Sequence, residues 1–198
     1  MLELIFQCNY EVEHAFRSSV FQVVSFITTT GLYSDDAAKW PHVTWVVLAA
    51  CMFLGGSSGS TSGGIKSIRG VMLVKIVKNE FRQILHPNAV LPMKIDGYNV
   101  QMSKRVTLLA FIGLYLFLAV ICAFTMIAAG IDSTNSMTIT LSSLGNVGPT
   151  LGLEIGPTMS WNELPDFAKW ISSFLMLVGR LELFSVLVLF TPSFWKEN

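Results

Sequence analysis

Ten consecutive small residues, Gly55-Gly-Ser-Ser-Gly-Ser-Thr-Ser-Gly-Gly64, interrupt an otherwise apolar stretch that runs from His42 to Val77. Glycine and serine are poor helix formers, so this Gly/Ser tract (residues 55–64) should break a helix that would otherwise be continuous. Irregular backbone at membrane depth is tolerated only where it is buried in protein or lines a water-filled cavity. The tract therefore predicts a break inside a membrane helix, beside a pathway for polar solutes.

The composition favours a membrane protein. Of the 198 residues, 52% are hydrophobic and only 13% are charged. The 26 residues from Val106 to Ile131 carry no charge, and about 20 apolar residues suffice to cross a bilayer. Eight of the 13 Lys and Arg residues lie between Lys66 and Arg105. Because positive charge concentrates in cytoplasmic loops, we expect this central region to face the cytoplasm. The opposite connections are acidic and should attract cations.

Two segments have about half the length of a membrane span. Residues 12–27 and 133–144 look helical but are too short to cross the bilayer. Each runs into a short stretch that contains glycine, then an acidic loop, a proline and an apolar helix. Gly31 and Gly148 lie 148 − 31 = 117 positions apart, and the helix-opening residues Pro41 and Pro165 lie 165 − 41 = 124 positions apart. The chain therefore contains an internal repeat.

A half-helix that runs into an extended segment is suited to a cation pathway. Extended backbone can point carbonyl oxygens at a dehydrated cation and replace its water shell without a fixed charge. The negative end of the half-helix dipole adds a favourable potential. We interpret residues 28–31 and 145–148, the filter segments, as walls of an ion filter. The structural alternative is two ordinary polar turns between helices.

Arg180 and Glu182 lie inside the last apolar span, from Phe167 to Phe190. Ionisable groups at this depth are costly and usually face the interior of a helix bundle. The two repeat offsets place Arg180 level with Gly63 (180 − 117) or Gly56 (180 − 124). We therefore expect a buried cation that faces the Gly/Ser tract. It could be an electrostatic barrier in a pore, a cap on loose carbonyl groups, or both.

The tract also comes close to a nucleotide-binding pattern. The stretch from Gly59 to Ser67 nearly matches the phosphate-binding sequence G-x-x-x-x-G-K-[ST], but Ile65 separates Gly64 from Lys66. An apolar half-span precedes it in place of a soluble α/β unit. We therefore interpret the tract as an intramembrane loop that is either a gate or a simple kink.

No residue pattern indicates an enzyme, a cofactor or a nucleic-acid partner. Cys8, Cys51 and Cys122 are widely separated, and the three histidines are scattered. This spacing predicts neither a disulfide framework nor a zinc site.

Four motifs, in order, resemble the Trk/Ktr/HKT potassium-transporter superfamily, most closely its TrkH type. They are Ser25-Phe-Ile-Thr-Thr-Thr-Gly31, Gly55 to Lys66, Gly145-Asn-Val-Gly-Pro149 and Gly179-Arg180. That family arranges four M1-P-M2 repeats around one pore. This chain resembles the P-M2 part of the third repeat, followed by a complete fourth repeat.

The resemblance implies a role for each motif. It makes Gly31 and Gly148 the filter glycines associated with preference for K⁺, the transported ion. It also implies a homodimer in the bacterial inner membrane and a cytoplasmic nucleotide-binding regulatory subunit of the TrkA type. The filter residues would be Thr28, Thr29, Thr30, Gly31, Gly145, Asn146, Val147 and Gly148, and the gating residues Ser57, Gly59, Gly63, Gly64, Lys66 and Arg180.

We therefore predict an all-α membrane protein with M1-P-M2 pore repeats, re-entrant half-helices and a broken transmembrane helix. Residues 1–85 should hold a pore helix, filter segment and broken M2 helix, residues 86–100 a cytoplasmic linker, and residues 101–198 a complete repeat. The expected function is potassium uptake through a backbone-carbonyl filter gated by the Gly/Ser tract. The alternatives are an ion-coupled K⁺ or Na⁺ symporter, and a non-conducting assembly fragment of a larger transporter completed by its remaining repeats.

Overall fold

The computed structural model describes residues 2–57, 59–88, 92–95, 97–151, 161–181 and 183–195. Ser58 of the Gly/Ser tract and Glu182 of the last span lie outside the described residues. Helices dominate this part of the chain, which confirms the predicted all-α class. They are α1 (Leu2–Cys8), α2 (Val12–Ile27), α3 (His42–Phe53), α4 (Ser67–Leu85), α5 (Met102–Ala128), α6 (Ser133–Gly145), α7 (Asp166–Arg180) and α8 (Leu183–Leu187).

Four two-residue strands complete the regular structure. Strands β1 (Leu54–Gly55) and β2 (Ile65–Lys66) pair in parallel at the two ends of the Gly/Ser tract. Strands β3 (Lys94–Ile95) and β4 (Tyr98–Asn99) form an antiparallel hairpin in the predicted linker. Neither the hairpin nor α1 was predicted from the sequence, because two-residue strands and a seven-residue helix leave almost no periodic signal.

Helix α5 is the one single helix in the described part of the chain that is long and apolar enough to cross a membrane. Its buried positions recur every three to four residues and face the other helices. Its opposite face exposes large apolar side chains such as Leu116, Phe117 and Phe124, as expected for contact with lipid.

The last predicted span differs from the expectation of one helix over residues 167–190. Helix α7 ends at Arg180, and α8 begins at Leu183, with a bend of 117° between α7 and the segment Leu183–Phe190. The break follows the Gly179-Arg180 pair, where the Arg180 side chain turns to the carbonyl oxygen of Thr61. The second repeat therefore carries an interrupted M2 helix as well.

Helix α6 lies at the centre of the fold and packs against α3, α5 and α7. It is buried on almost every side although it is rich in serine and threonine, with Ser136, Thr140, Ser142 and Ser143 all below 2% exposed. Small polar side chains let helices approach closely inside a membrane, where burial of apolar surface gives little driving force between helices. The composition of α6 is thus explained by close packing on all sides.

Candidate ion-conduction site

Helix α2 ends in a Schellman motif that redirects the chain into the first filter segment. The Thr30 N–H donates to the carbonyl oxygen of Ser25 (3.0 Å), and the Thr29 N–H donates to that of Phe26 (3.3 Å). Thr29 takes the left-handed conformation that this motif requires, with φ +53°. The sharp end of α2 therefore follows from these two hydrogen bonds.

Helix α6 ends in the same way. The Val147 N–H donates to the carbonyl oxygen of Ser142 (3.0 Å), the Asn146 N–H donates to that of Ser143 (3.1 Å), and Asn146 has φ +53°. Each of these four residues lies 117 positions after its counterpart at the end of α2, as Gly148 does after Gly31. The internal repeat therefore extends to individual backbone hydrogen bonds.

The two filter segments touch each other. Gly31 has φ +76°, and a methyl group added to it would overlap the carbonyl oxygen of Val147 in the second segment. Gly148 has φ +105°, a conformation that L side chains rarely adopt, but the space around it is open. Glycine is therefore required at position 31 by both the close contact and the backbone conformation. At position 148 it is required by the backbone conformation alone.

The carbonyl groups of both filter segments have no hydrogen-bond donor among the residues that the structure describes. Within the described part of the chain, no group donates a hydrogen bond to the carbonyl oxygens of residues 28–31 or 145–148. Thr28, Thr30 and Gly148 are exposed, so water can reach their carbonyl groups, whereas Gly145 and Val147 are buried, and buried backbone acceptors are almost always paired. Each run also lies at the negative end of a half-helix, α2 or α6. A cation would be bound by the free carbonyl oxygens and would be favoured by the negative potential of the helix ends.

Two serines hold the filter segments to their half-helices. The Ser25 hydroxyl donates to the carbonyl oxygen of Leu32 (2.5 Å), and the Ser142 hydroxyl accepts from the Gly148 N–H (3.1 Å). Thr28 and Thr30 are joined by their hydroxyl groups (2.8 Å). Neither serine was predicted as a site residue, although the shared offset of 117 relates them as well.

The Gly/Ser tract leaves the membrane helix and returns to almost the same point. The β1–β2 bridge pairs Leu54 with Ile65 and Gly55 with Lys66, so the residues between them form a loop with adjacent ends. Inside the loop, the Lys66 ammonium group donates to the carbonyl oxygens of Ser60 (2.5 Å) and Ser62 (2.8 Å). The charge of Lys66 thus binds loop carbonyls and not a phosphate group.

The remaining predicted loop residues have different surroundings. Ser57 accepts a hydrogen bond from the Ser60 N–H through its carbonyl oxygen (3.0 Å), and Gly59 has no atom within 4 Å of where a Cβ would lie. Gly64 has φ +70° at the turn into β2. A side chain would therefore have room at Gly59, whereas the left-handed conformation at Gly64 favours glycine.

The loop contacts both filter segments from one side. The Gly63 N–H donates to the Thr29 hydroxyl (3.3 Å), and a methyl group at Gly63 would overlap the carbonyl oxygen of Gly145. In the second repeat, a methyl group at Gly179 would likewise overlap the carbonyl oxygen of Leu144. Gly63 of the predicted gating loop thus meets Thr29 and Gly145 of the two predicted filter segments.

Arg180 faces the Gly/Ser tract, as the repeat offset predicts, and its guanidinium group donates to the carbonyl oxygen of Thr61. The expectation that it is buried is wrong for this chain, in which Arg180 is exposed. Arg180, Lys66 and Arg69 together line a cavity of about 350 Å³ behind the loop, where Arg69 lies 4.0 Å from the centre of the Phe111 ring. Ser60, Thr61 and Ser62 also line this cavity, so this part of the loop sits against positive charge.

The connection between the first filter segment and α3 is acidic and structured. The Trp40 indole donates to the carboxylate of Asp35 (3.4 Å), and Asp36 forms an ion pair with Lys39 (3.4 Å). Burial, and then a hydrogen bond to Asp35, raises the pKa of the Tyr10 phenol. The phenol therefore stays protonated at neutral pH, and the negative charge of this mouth comes from its carboxylates.

Comparison with known proteins places the chain in a family. The model of the family TrkH, described as a cation transport protein, matches residues 7–197. The Trk system potassium uptake protein TrkH of Halomonas elongata is 36% identical over 189 residues, which are 96% of this chain and 39% of that protein. The protein of the same name from Escherichia coli strain K12 is 39% identical over 181 residues, or 91% of this chain and 37% of that protein.

A solved structure gives the same result. The crystal structure of the potassium transporter TrkH from Vibrio parahaemolyticus superposes with a TM-score of 0.90 at 34% sequence identity, covering 98% of this chain and 41% of that one. The chain therefore spans less than half the length of these relatives. From the family match, the sequence identity and the shared fold, we conclude that this chain belongs to the TrkH family of cation transport proteins.

Proposed function

We propose that this chain supplies two walls of a potassium pathway in the bacterial inner membrane. The observation that carries the proposal is the pair of filter segments, residues 28–31 and 145–148, whose carbonyl oxygens have no partner among the described residues. The relatives named above are potassium uptake proteins, which makes K⁺ the natural occupant. Backbone carbonyls can replace the water shell of K⁺ without a bound fixed charge.

The Gly/Ser tract is the gate in this proposal. It contacts Thr29 and Gly145, so it lies at the inner end of both filter segments and in the path of an ion that leaves them. The hydrogen bonds from Lys66 and Arg180 to its carbonyl groups hold it there. Arg180 would also repel a cation, so it both holds the loop in place and adds an electrostatic barrier to ion passage.

The remaining repeats of the complete transporter would pack against the exposed face of α2. Phe16 and Val24 are 57% and 53% exposed, and with Thr28, Thr30 and Leu32 they line an open apolar cavity of about 630 Å³. A face that continues from apolar side chains to the first filter segment fits the other walls of the same pore. By the resemblance to its family, the complete protein would be a homodimer, surrounded by lipid, with a TrkA-type nucleotide-binding subunit on the cytoplasmic side.

A coupled symporter is the second candidate function. Two interrupted helices, α3–α4 and α7–α8, flank the site, and broken helices also form ion sites in secondary transporters. A channel passes K⁺ down its electrochemical gradient alone, whereas a symporter requires a second ion. The two functions therefore differ in a measurable way.

The test uses a chimera in which this chain replaces the matching region of the Escherichia coli relative. After reconstitution in liposomes, K⁺ flux should follow an imposed K⁺ gradient in the absence of Na⁺ and of a proton gradient. The parent Escherichia coli protein and protein-free liposomes are the controls. Flux that appears only with a Na⁺ or proton gradient would favour the symporter, and a correctly inserted chimera without K⁺ flux would contradict both transport functions.

A further inference from the structure

A cationic cleft lies between α4 and the β3–β4 hairpin, outside the site described above. It has a volume of about 250 Å³, and its charged wall consists of Lys75, Lys78, Arg82 and Lys94. Pro92 and Met93 supply an apolar floor. Four cations thus converge on one small cleft that plays no part in the proposed ion pathway.

Two separate elements build the cleft. Lys75, Lys78 and Arg82 follow the i, i+3, i+7 spacing of one face of α4. Lys94 comes from β3, which is held in place because the Lys75 ammonium group donates to the Lys94 carbonyl oxygen (2.8 Å) and the Val100 N–H donates to that of Met93 (2.8 Å). The positions of the charges are therefore set by the fold.

The charges of the cleft are not neutralised within the described part of the chain. None of the four cations forms an ion pair there. Glu80, the only carboxylate of α4, is two positions from both Lys78 and Arg82 and therefore points to another side of the helix. Among the described residues the cleft therefore carries four positive charges that no carboxylate balances.

The depth of the cleft matches the lipid headgroups. If the Gly/Ser tract lies at the middle of the bilayer, α4 begins there and rises about 1.5 Å per residue, which puts Lys75 at about 12 Å and Arg82 at about 22 Å from the midplane. The hydrocarbon core ends at about 15 Å and the headgroup layer at about 20–22 Å. The cationic face of α4 therefore crosses the phosphate layer.

The neighbouring face of α4 is apolar and exposed. Val74, Phe81 and Ile84 are 67%, 65% and 74% exposed, and they run beside the cationic face for three turns. A helix with adjoining cationic and apolar faces at this level suits contact with anionic lipid, whose headgroup meets the charges and whose chains meet the apolar side chains.

We propose that this cleft binds the phosphate headgroup of an anionic phospholipid on the cytoplasmic side of the membrane. The positive charge, the apolar floor and the exposed apolar face all complement one amphiphile. The site is independent of the proposed potassium pathway and would exist even if the protein conducted nothing.

The test measures lipid selectivity directly. The full chain is reconstituted in phosphatidylcholine bilayers that contain trace spin-labelled phosphatidylglycerol or spin-labelled phosphatidylcholine, and electron paramagnetic resonance gives the fraction of each label held at the protein. We expect a preference for phosphatidylglycerol that weakens about fivefold for each charge removed, in Lys78→Gln and again in Lys78→Gln/Arg82→Gln. Lys104→Gln, which removes an exposed cytoplasmic charge outside the cleft, should keep the preference.

Three outcomes would overturn the proposal. Equal losses in Lys104→Gln and Lys78→Gln would mean that general surface charge, and not the cleft, selects the lipid. Undiminished lipid selectivity in the double variant, with lost binding of an added regulatory subunit, would assign the cleft to a protein. Binding of inorganic phosphate through these lysines, without preference between the two labelled lipids, would identify free phosphate as the ligand.

Discussion

Thr29 and Asn146, near the start of the two filter segments, both adopt the left-handed backbone conformation. The conformational strain differs between the two residues. Asn146 tolerates φ +53° well, whereas Thr29, a β-branched residue, does not. The Thr29 hydroxyl accepts a hydrogen bond from the Gly63 N–H, and the Asn146 amide donates to the carbonyl oxygen of Met176 (3.0 Å). Thr29 is thus tied to the Gly/Ser tract and Asn146 to helix α7, so the geometry of each predicted filter segment depends on the position of that neighbour.

Gly148 should control ion selectivity in the chimera. Serine there would have to leave φ +105° or bear strain of about 1–3 kcal/mol, and either change moves the carbonyl groups beside it. We expect Gly148→Ser to lower the K⁺ to Na⁺ permeability ratio by about tenfold, since ~1.4 kcal/mol corresponds to that factor. Gly113→Ser is the matched control, because Gly113 lies in α5 with open space around it. An unchanged ratio in Gly148→Ser would refute the assignment.

Arg180 should limit conduction. Alanine removes both the charge and the hydrogen bond to Thr61, so K⁺ flux through the chimera should rise by about tenfold, equivalent to ~1.4 kcal/mol of barrier. Lysine keeps the charge but loses the planar, multiple-donor guanidinium group, so Arg180→Lys should lie between the two. Liposome flux on equal amounts of folded protein measures this order. Lower flux in Arg180→Ala together with wild-type flux in Arg180→Lys would make Arg180 a structural or relay residue.

At the scale of the element, α6 depends on its N-cap. The Asp132 carboxylate accepts hydrogen bonds from the N–H groups of Thr134 (2.9 Å) and Asn135 (3.4 Å). Asp132→Ala should therefore lower the free energy of unfolding by about 1 kcal/mol, whereas Asp132→Asn, which can still cap, should lose little of it. Unfolding in mixed detergent micelles would show the difference. Equal losses in the two variants would mean that the charge, and not the cap, stabilises the helix.

The Gly/Ser tract should be removable without loss of the helices around it. Deletion of residues 57–62 eliminates the acceptors of Lys66 and Arg180 but keeps the β1–β2 bridge. We expect the basal K⁺ flux of the chimera to rise and its regulation to weaken. Gly113→Ala, in α5 with open space around it and outside the tract, is the control and should leave flux unchanged. Normal, regulated flux in the deletion variant would show that the tract is only a kink.

The elements were predictable from sequence to the extent that each has its own local signal. The half-length helix over residues 12–27 matches the structure, and the half-span predicted from His42 to Leu54 ends one residue earlier, at Phe53. Both follow from apolar length and glycine content. The 117° bend at the end of α7 was not predicted, and beside it Arg180 contacts Thr61, which lies far away in sequence. The contact of Gly63 with Thr29 was hidden because these residues also lie far apart in sequence.

At the scale of the whole molecule, this chain should not conduct ions alone. Its two filter segments touch at Gly31 and Val147, but the outer face of α2 is open and apolar. In the proposed four-walled pore, the two filter segments of this chain could not enclose a dehydrated ion by themselves. We therefore expect liposomes with the 198-residue chain to show no K⁺ flux above protein-free liposomes, whereas the chimera conducts. Selective K⁺ flux from the chain alone would require the walls to come from further copies of itself.

The β1–β2 bridge has a consequence for how such a protein can vary. Because the bridge holds residue 54 beside residue 65 and residue 55 beside residue 66, the distance from α3 to α4 along the membrane normal is independent of the number of residues between them. Insertions or deletions at this point would alter the size of the obstruction but not the thickness of bilayer that the two helices cover. Related proteins could therefore differ in the length of the Gly/Ser tract, and so in how tightly a proposed gate closes. The membrane helices on either side of the tract would keep the same positions.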